Sequence, residues 1–248
     1  MHELPFAPGE SFTGHRPQPA TISSKFIKTA VVRFLAILLP MNVSIVGIAG
    51  GSGAGKSSVS YELTDVFPDE YEVVNLDDFQ KLRTDSSIPR HNGRINWDHP
   101  DIVDWPKLIS AITTLQMGQS VTMDVWSHRS NPDFMSHGNF LPRTIYPRPV
   151  ILLEGYLALH HPVVNRLYFR SYYLDADFNT RMARRGSNTV EGDQNYDLDI
   201  LVPMHHQYVE PTKLLADMVV DVTSATVPEV AHLIRHDLSI ALLRSATA

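Results

Sequence analysis

Eight consecutive residues of this chain form a pattern that can hold the phosphate groups of a nucleotide. Gly50-Gly51-Ser52-Gly53-Ala54-Gly55-Lys56-Ser57 matches G-x-x-x-x-G-K-[ST], and Ser58 follows it directly. Glycines let the backbone turn tightly and point N–H groups at phosphate oxygens, and the helix that follows adds its positive N-terminal end. We expect Lys56 to reach the β- and γ-phosphates and the Ser57 hydroxyl to hold Mg²⁺. An apolar strand pattern precedes the motif and a helical pattern follows it, which favours a phosphate-binding loop over a chance match.

Two acidic residues come directly after strand patterns. Asp77 follows Val73-Val74-Asn75-Leu76, and Glu154 follows Val150-Ile151-Leu152-Leu153. Because ligands of an open parallel sheet bind beyond the carboxyl ends of its strands, both acids should face the bound phosphates. Asp77 can accept a proton from an attacking hydroxyl or orient it, and Glu154 can complete a Mg²⁺ shell directly or through water. Singly, either acid can also be a helix cap or a solvated strand end, but together with the loop they indicate catalysis.

The elements that must position these residues are a parallel sheet and the helices that cover it. Short apolar runs alternate with longer amphipathic ones, as in an α/β fold. We predict strands at Val43 to Ile48, Tyr71 to Leu76, Val150 to Leu153, Tyr172 to Leu174 and Met218 to Val222. We predict helices at Ser57 to Val66, Trp105 to Met117, from about Asn179, at Val202 to Leu215 and at Val227 to Leu243.

The first forty residues differ from the rest of the chain. They contain five prolines and no sustained period of 2 or 3.6 residues. We therefore expect an irregular N-terminal extension at 1–40 and one α/β domain at 41–248.

The composition excludes several classes of function. With no cysteine, the chain has no disulfide, zinc-thiolate site or cysteine nucleophile. A formal net charge of −6 gives no general attraction for nucleic acid or an anionic membrane. No apolar run approaches the ~18 residues typical of a membrane span. We expect a cytoplasmic protein with a small-molecule partner, and the sequence does not indicate an oligomeric state.

Several further strings make a family resemblance specific. Besides the phosphate loop, these are Asn75-Leu76-Asp77-Asp78-Phe79, Asn96-Trp97-Asp98-His99-Pro100, Leu153-Glu154-Gly155-Tyr156 and Pro203-Met204-His205-His206-Gln207-Tyr208-Val209-Glu210-Pro211-Thr212-Lys213. In kind, order and approximate spacing they resemble the uridine kinase and nicotinamide riboside kinase family, over roughly residues 43–240. The resemblance implies a doubly wound P-loop fold and transfer of the ATP γ-phosphoryl group to a ribose 5′-hydroxyl, with Mg²⁺ as cofactor.

The resemblance also implies roles for individual residues. Asp77 resembles the family's general base, Glu154 its magnesium-associated acid, and Asp98 the carboxylate that grips the ribose 2′- and 3′-hydroxyls. A carboxylate suits a vicinal diol because it accepts two hydrogen bonds in one plane. Without its surrounding string, Asp98 would read equally well as a turn acid before Pro100.

Three arginines lie where the family begins a lid over the phosphates. Arg181, Arg184 and Arg185 are spaced i, i+3 and i+4, on one helical face. Such a short Arg-bearing lid would neutralise charge on the transferred group, with Arg181 also contacting substrate, and would help exclude water. The alternative is a solvated basic face.

The preferred base stays open because the resemblance is mixed. The stretch from Gly186 to Leu201 is short and holds no basic residue, which resembles nicotinamide riboside kinases, as does the doubled acid Asp77-Asp78. The string from Pro203 to Lys213 is closer to uridine kinases. Trp126 and His128 align only loosely with the pyrimidine-contacting residues of uridine kinases.

We predict packing or surface positions for the other aromatic and histidine residues. Trp97 and Tyr156 can stack on a base or sugar, although packing is the commoner role. His91, His160-His161 and His205-His206 lack partners at metal-binding spacing, so we interpret them as surface or loop residues.

Two functions of other classes remain as alternatives. A non-catalytic nucleotide-binding regulator would keep the loop, but it needs no hydroxyl-orienting acid such as Asp77 or Asp98. A GTPase-type switch would carry a guanine-reading Asn-Lys-x-Asp string, which this sequence lacks.

Overall fold

The computed structural model of the protein describes residues 43–126, 131, 138–185 and 196–247. The predicted extension at 1–40, His128 and residues 186–195 of the stretch after the arginine-rich helix lie outside the described residues.

The described chain alternates strands and helices in the predicted α/β order. The strands are β1 Ser44–Gly50, β2 Tyr71–Asn75, β3 Arg90–His91, β4 Arg94–Ile95, β5 Val121–Val125, β6 Leu141–Ile145, β7 Val150–Glu154, β8 Tyr168–Asp175 and β9 Met218–Asp221. The α-helices of four residues or more are α1 Lys56–Val66, α2 Trp105–Gln116, α3 Pro162–Asn165, α4 Phe178–Arg185 and α5 Val227–Ala246. Short 3₁₀ turns lie at Leu76–Phe79 and Pro100–Ile102.

Five strands form the central sheet, in the order β2-β7-β1-β8-β9. Each neighbouring pair is parallel. From β1 the chain builds the β2 side first, then crosses to the β8 side. The carboxyl end of β1 is therefore the point where the strand order reverses, which is where open α/β sheets bind ligands. The phosphate loop begins at this end of β1.

Both faces of the sheet are buried, which explains why its strands read as nearly continuous apolar runs. On β1, Val46 and Ile48 face a cluster that includes side chains of α1 and α5. Ile45 and Ala49, which alternate with them, face a second cluster built with α2. The period of two residues along a strand thus divides one apolar run between two cores.

A helical segment at 197–215 changes type along its length. Its turns are π-helical at Asp197–Leu201 and His205–Val209, α-helical at Val202–Met204 and 3₁₀ at Glu210–Leu215. Pro203 and Pro211 have no N–H to donate to a preceding turn, and each lies near the start of a new type of turn. The predicted helix at Val202 to Leu215 is therefore present, but it starts earlier and is irregular.

Two antiparallel hairpins lie outside the central sheet, and neither was predicted. They pair β3 with β4 and β5 with β6. Within the described parts of the chain, no helix is both long and apolar enough to span a membrane.

We propose that residues 41–248 fold without residues 1–40. Among the described residues, side chains between Val43 and Leu238 already form two buried core clusters. A chain that starts at Met41 is therefore expected to stay soluble, with the melting temperature and the turnover of the full-length protein. Differential scanning fluorimetry and an activity assay on both chains measure this. A clear loss of thermal stability would show that the first forty residues contribute to the core.

Candidate functional site

The phosphate loop turns so tightly that side chains would not fit at two of its glycines. Gly53 has a φ of +82° and Gly50 a φ of +145°. A Cβ at Gly53 would collide with the backbone oxygen of Arg181, and one at Gly50 with that of Leu174. These positions need glycine both for the backbone conformation and for the close approach of β8 and α4. The loop is thus packed against the helix that carries the arginines.

Lys56 lies across this loop at the start of α1. Its Nζ donates to the carbonyl oxygen of Gly51 at 3.1 Å. Burial lowers the pKa of the Lys56 ammonium, while the nearby Glu154 and Asp77 carboxylates oppose that shift. The side chain is therefore held over the loop, beside the two acids predicted to act with it.

Ser57 and Glu154 meet at the carboxyl ends of the central strands. The Ser57 hydroxyl donates to Glu154 Oε1 at 2.9 Å. Glu154 ends β7 and lies between Ile48 of β1 and Asn75 of β2 in the strand register. Its side chain is buried, and this burial raises the pKa of the Glu154 carboxyl.

These two oxygen donors fit Mg²⁺. Mg²⁺ prefers hard oxygen ligands, keeps several waters and takes only one or two protein groups beside substrate phosphates. Within the described residues, no three His, Asp or Glu side chains lie together so that they could hold a metal by themselves. A hydroxyl and a buried carboxylate beside a phosphate loop match the sparse protein ligation that Mg²⁺ uses.

Asp77 lies in the 3₁₀ turn that follows β2. The Asn75 side chain caps this turn by accepting the Asp77 N–H at 2.9 Å, and Gln80 Nε2 donates to Asp77 Oδ1 at 3.3 Å. Burial, followed by the charge of Glu154, raises the pKa of Asp77 to about 7, against the opposing effect of Lys56. A carboxylate with this pKa can both accept and release a proton near neutral pH.

Asp98 faces the same site from a turn stabilised by Asn96, whose Oδ1 accepts the Asp98 N–H at 3.1 Å. Burial raises the pKa of Asp98, and a hydrogen bond from the Tyr196 hydroxyl to Oδ2, 2.8 Å long, opposes the shift. Asp77, Asp98 and Glu154 all lie close enough to Lys56 to influence its charge. Four residues predicted from separate strings therefore share one site.

Two of the three arginines reach this site. Arg185 Nη1 donates to Ser52 Oγ of the loop at 2.7 Å, and its Nε donates to Asp197 at 3.1 Å. Arg181 is buried against Gly51, and its Nη1 has no hydrogen-bond partner among the described residues. Arg184 instead donates to the carbonyl oxygens of Val222 and Thr223, after β9. The three arginines that we predicted to act together therefore point to two places, with Arg181 and Arg185 at the loop and Arg184 away from it.

His205 is a site residue that sequence reasoning missed. We predicted a surface or loop histidine, and this is wrong, because the side chain is only 9% exposed and lies against Gly51 of the loop. Burial and the charge of Arg181 lower the pKa of His205 to about 4, so the imidazole is neutral at pH 7. Only the tertiary fold reveals it, because no spacing in the sequence links His205 to the loop.

Aromatic residues contact Asp98 and its neighbour Trp97. Tyr156 donates from its hydroxyl to the Trp97 carbonyl oxygen, and both rings pack against the core. The Arg83 guanidinium lies 5.1 Å from the centre of the Trp97 ring. Tyr196, which the sequence did not single out, accepts the Trp97 N–H at 3.0 Å. Trp126 donates its backbone N–H to Asp78 at 2.9 Å.

Comparison with known proteins identifies a family that covers most of the chain. Residues 45–228 match the family described as phosphoribulokinase / uridine kinase. A uridine kinase from Halobacterium salinarum is 34% identical over 183 residues, which cover 71% of this chain and 78% of that protein. A uridine kinase from Chlamydia pneumoniae is 32% identical over 194 residues, or 74% of this chain and 83% of the relative.

A solved structure supports the fold. The structure of "a Possible Uridine Kinase" from Bacillus stearothermophilus superposes with a TM-score of 0.52 and 16% sequence identity, over 79% of this chain and 98% of that one. At this identity the likeness bears on the α/β fold alone, and it agrees with the five-stranded parallel sheet described above.

Proposed function

This chain belongs to the phosphoribulokinase / uridine kinase family, and we propose that it transfers the γ-phosphoryl group of ATP to the ribose 5′-hydroxyl of a nucleoside. We propose uridine as the preferred substrate, because the two relatives described above, which match more than 70% of the chain, are uridine kinases. We propose the cytoplasm, where ATP is available, as its location.

The observation that carries the proposal is the meeting of Asp77 and Asp98 with Lys56 at the end of β1. A protein that only binds nucleotide needs the loop and its lysine. It has no use for an acid such as Asp77, which is partly buried beside the lysine and has a pKa near neutrality. Such an acid suits the activation of a hydroxyl, and this distinguishes a kinase from a non-catalytic regulator.

In the proposed reaction each side chain has one task. Asp98 accepts hydrogen bonds from the ribose hydroxyls and so directs the 5′-hydroxyl towards Asp77. Asp77 takes the proton of that hydroxyl as the hydroxyl oxygen attacks the γ-phosphorus, and the bond from the γ-phosphorus to the bridging oxygen breaks and releases ADP. Lys56, Arg181 and Arg185 supply positive charge to the phosphoryl oxygens, and the loop N–H groups hold the remaining phosphates.

Ser57 and Glu154 would hold Mg²⁺, with waters and phosphate oxygens as the other ligands. When bound, the ion neutralises phosphate charge. The Ser57 hydroxyl donates a hydrogen bond to Glu154 Oε1 at 2.9 Å, so the two oxygens are already close together.

A substrate screen tests the proposal. ATP consumption is measured with uridine, cytidine, nicotinamide riboside and free ribose, and the product is identified by mass spectrometry and ³¹P NMR. We expect a nucleoside 5′-monophosphate, formed fastest from uridine or cytidine. A preference for nicotinamide riboside would reassign the base. ATP turnover that no nucleoside stimulates would refute the proposed function.

Replacing Asp98 by asparagine should mainly weaken nucleoside binding. An amide has one acceptor oxygen in place of two and no charge, so we expect KM for uridine to rise about tenfold or more while KM for ATP changes little. The preference for uridine over 2′-deoxyuridine should also decrease, because the lost contact is to the diol.

Steady-state kinetics on both substrates measure these changes. Asp101→Asn is the control, since this acid is exposed and lies three residues away. An unchanged ribose-to-deoxyribose preference in Asp98→Asn would rule out the assigned role.

A further inference from the structure

Side-chain hydrogen bonds of two consecutive residues, Tyr196 and Asp197, link the candidate ribose site to the phosphate loop. This link starts at Asp98, whose Oδ2 accepts the Tyr196 hydroxyl at 2.8 Å. It continues through the next residue, Asp197, whose Oδ1 accepts Arg185 Nε at 3.1 Å. It ends where Arg185 Nη1 donates to Ser52 Oγ at 2.7 Å. Two consecutive residues thus contact the two halves of the site.

Tyr196 is well placed to fix the position of Asp98. Its hydroxyl accepts the Trp97 N–H at 3.0 Å and gives its only proton to Asp98. Burial raises the pKa of Tyr196, so the hydroxyl keeps that proton at neutral pH. One carboxylate oxygen is thus held by the protein, while Oδ1 accepts no hydrogen bond from the described residues and can serve ribose hydroxyls together with the second lone pair of Oδ2.

Asp197 makes the second contact from a largely buried position. The side chains of Arg185 and Asp197 are only 21% and 20% exposed, so water screens this ion pair less than an ordinary surface pair. Asp199 of the same π-helical turn pairs instead with Arg94 at 2.6 Å, away from the loop, and its side chain is 48% exposed. Replacement of Asp199 therefore serves as the control for replacement of Asp197, since both acids pair with an arginine but only Asp197 pairs with Arg185.

We propose that Tyr196 and Asp197 couple nucleoside binding to ATP binding. This inference rests on the proposed function, because it takes Asp98 as the ribose contact and Ser52 as part of the ATP site. Nucleoside on Asp98 fixes Tyr196, the adjoining Asp197 then fixes Arg185, and Arg185 holds the loop in the geometry that receives phosphates. By reciprocity, bound nucleotide tightens the binding of nucleoside by the same factor. Tyr196 and Asp197 are positioning residues, which act through Asp98 and Arg185.

Isothermal titration calorimetry measures this coupling directly. The dissociation constant of uridine is determined for the full-length protein with and without the non-hydrolysable analogue AMP-PNP and Mg²⁺. We expect the analogue to tighten uridine binding in the parent protein, within the range of about 5- to 150-fold that is usual for coupled sites. In Asp197→Ala this factor should fall close to one, while uridine binding without nucleotide stays unchanged. Asp199→Ala should retain the parent factor.

Tyr196→Phe separates positioning from folding. Loss of a hydrogen bond to a charged carboxylate should weaken uridine binding about tenfold without nucleotide, and it should raise KM for uridine far more than it lowers kcat. Tyr208→Phe is the matched control. Tyr208 lies on the helical segment that follows Tyr196, and its hydroxyl contacts His99 at 3.3 Å instead of Asp98. Damage to the fold would lower the melting temperature and kcat of both variants alike.

The outcomes distinguish this inference from the proposed function. If the parent phosphorylates uridine but Asp197→Ala keeps the full coupling factor, the link carries no coupling and only this inference is overturned. A Tyr196→Phe variant with parental KM overturns the role of Tyr196 in the same way. If neither uridine nor the best substrate of the screen binds the parent protein, the proposed function itself fails.

Discussion

Replacing Lys56 by alanine is expected to abolish measurable phosphoryl transfer and to leave the fold intact. Lys56 Nζ lies over the loop, and among the described residues its one hydrogen-bond partner is a loop carbonyl, so its charge is available to phosphates. Loss of a single positioned charge donor typically costs on the order of 10²–10³ in kcat, and Lys56 should also contribute to ATP binding, so kcat/KM should fall further. Burial lowers the pKa of Lys56, so removal of its charge should not destabilise the protein.

Coupled-enzyme kinetics and calorimetric titration of AMP-PNP measure the two effects, and circular dichroism with thermal melting checks the fold. Lys107→Ala is the control, because this lysine lies on the exposed side of α2. Turnover of Lys56→Ala within a few-fold of the parent would remove the phosphate-loop kinase hypothesis. A lowered melting temperature would show instead that the lysine has a structural task.

The fold was predictable where local patterns decide it. The loop motif specifies strand, turn and helix within fifteen residues, and continuous apolar runs such as Val150-Ile151-Leu152-Leu153 indicate strands buried on both faces. The hairpin of β5 and β6 was missed. Its first strand does alternate, with Met123 and Val125 buried, but at five residues it gives a weak periodic signal. Its partner begins about fifteen residues later and contains Pro142, which is more typical of an edge or a turn.

The site was predictable where a residue carries its own signal, and it was not where position depends on the tertiary fold. Asp77 comes shortly after β2 and Glu154 ends β7. These two strands are parallel neighbours, so the sheet itself brings the two acids together. Arg184 and Arg185 are neighbours in sequence but about 100° apart around a helix. Arg185 can therefore reach Ser52 while Arg184 reaches Val222. Tyr196, which directly precedes the 197–215 segment, and His205 within it reach the site through the path of the chain there, which sequence periodicity does not determine.

Replacing Asp77 by asparagine should lower kcat by a factor on the order of 10²–10⁴, with a much smaller change in KM for uridine. The amide has the same shape and still accepts the hydrogen bond from Gln80, but it cannot take a proton. Asp78→Asn is the matched control. This neighbouring acid accepts the Trp126 N–H, which an amide oxygen can also do, so kcat should stay within a few-fold of the parent.

The pH dependence of the same variant separates chemistry from structure. Because the pKa of Asp77 is raised to about 7, the parent enzyme should lose kcat/KM as pH falls below 7, where the carboxyl is protonated and cannot accept a proton. The residual activity of Asp77→Asn should lack this acidic limb.

The stability of the parent protein should change with pH in the opposite sense to its activity. A folded-state pKa above that of the unfolded chain means that the folded protein binds more protons between about pH 4 and 7, so the free energy of unfolding decreases as pH rises through that window. Asp77→Asn removes this loss, so the variant without nucleotide should melt at a higher temperature than the parent at pH 8. An inactive variant with a raised melting temperature identifies Asp77 as an acid kept for catalysis at the expense of stability, whereas normal turnover at pH 8 would exclude it as the base.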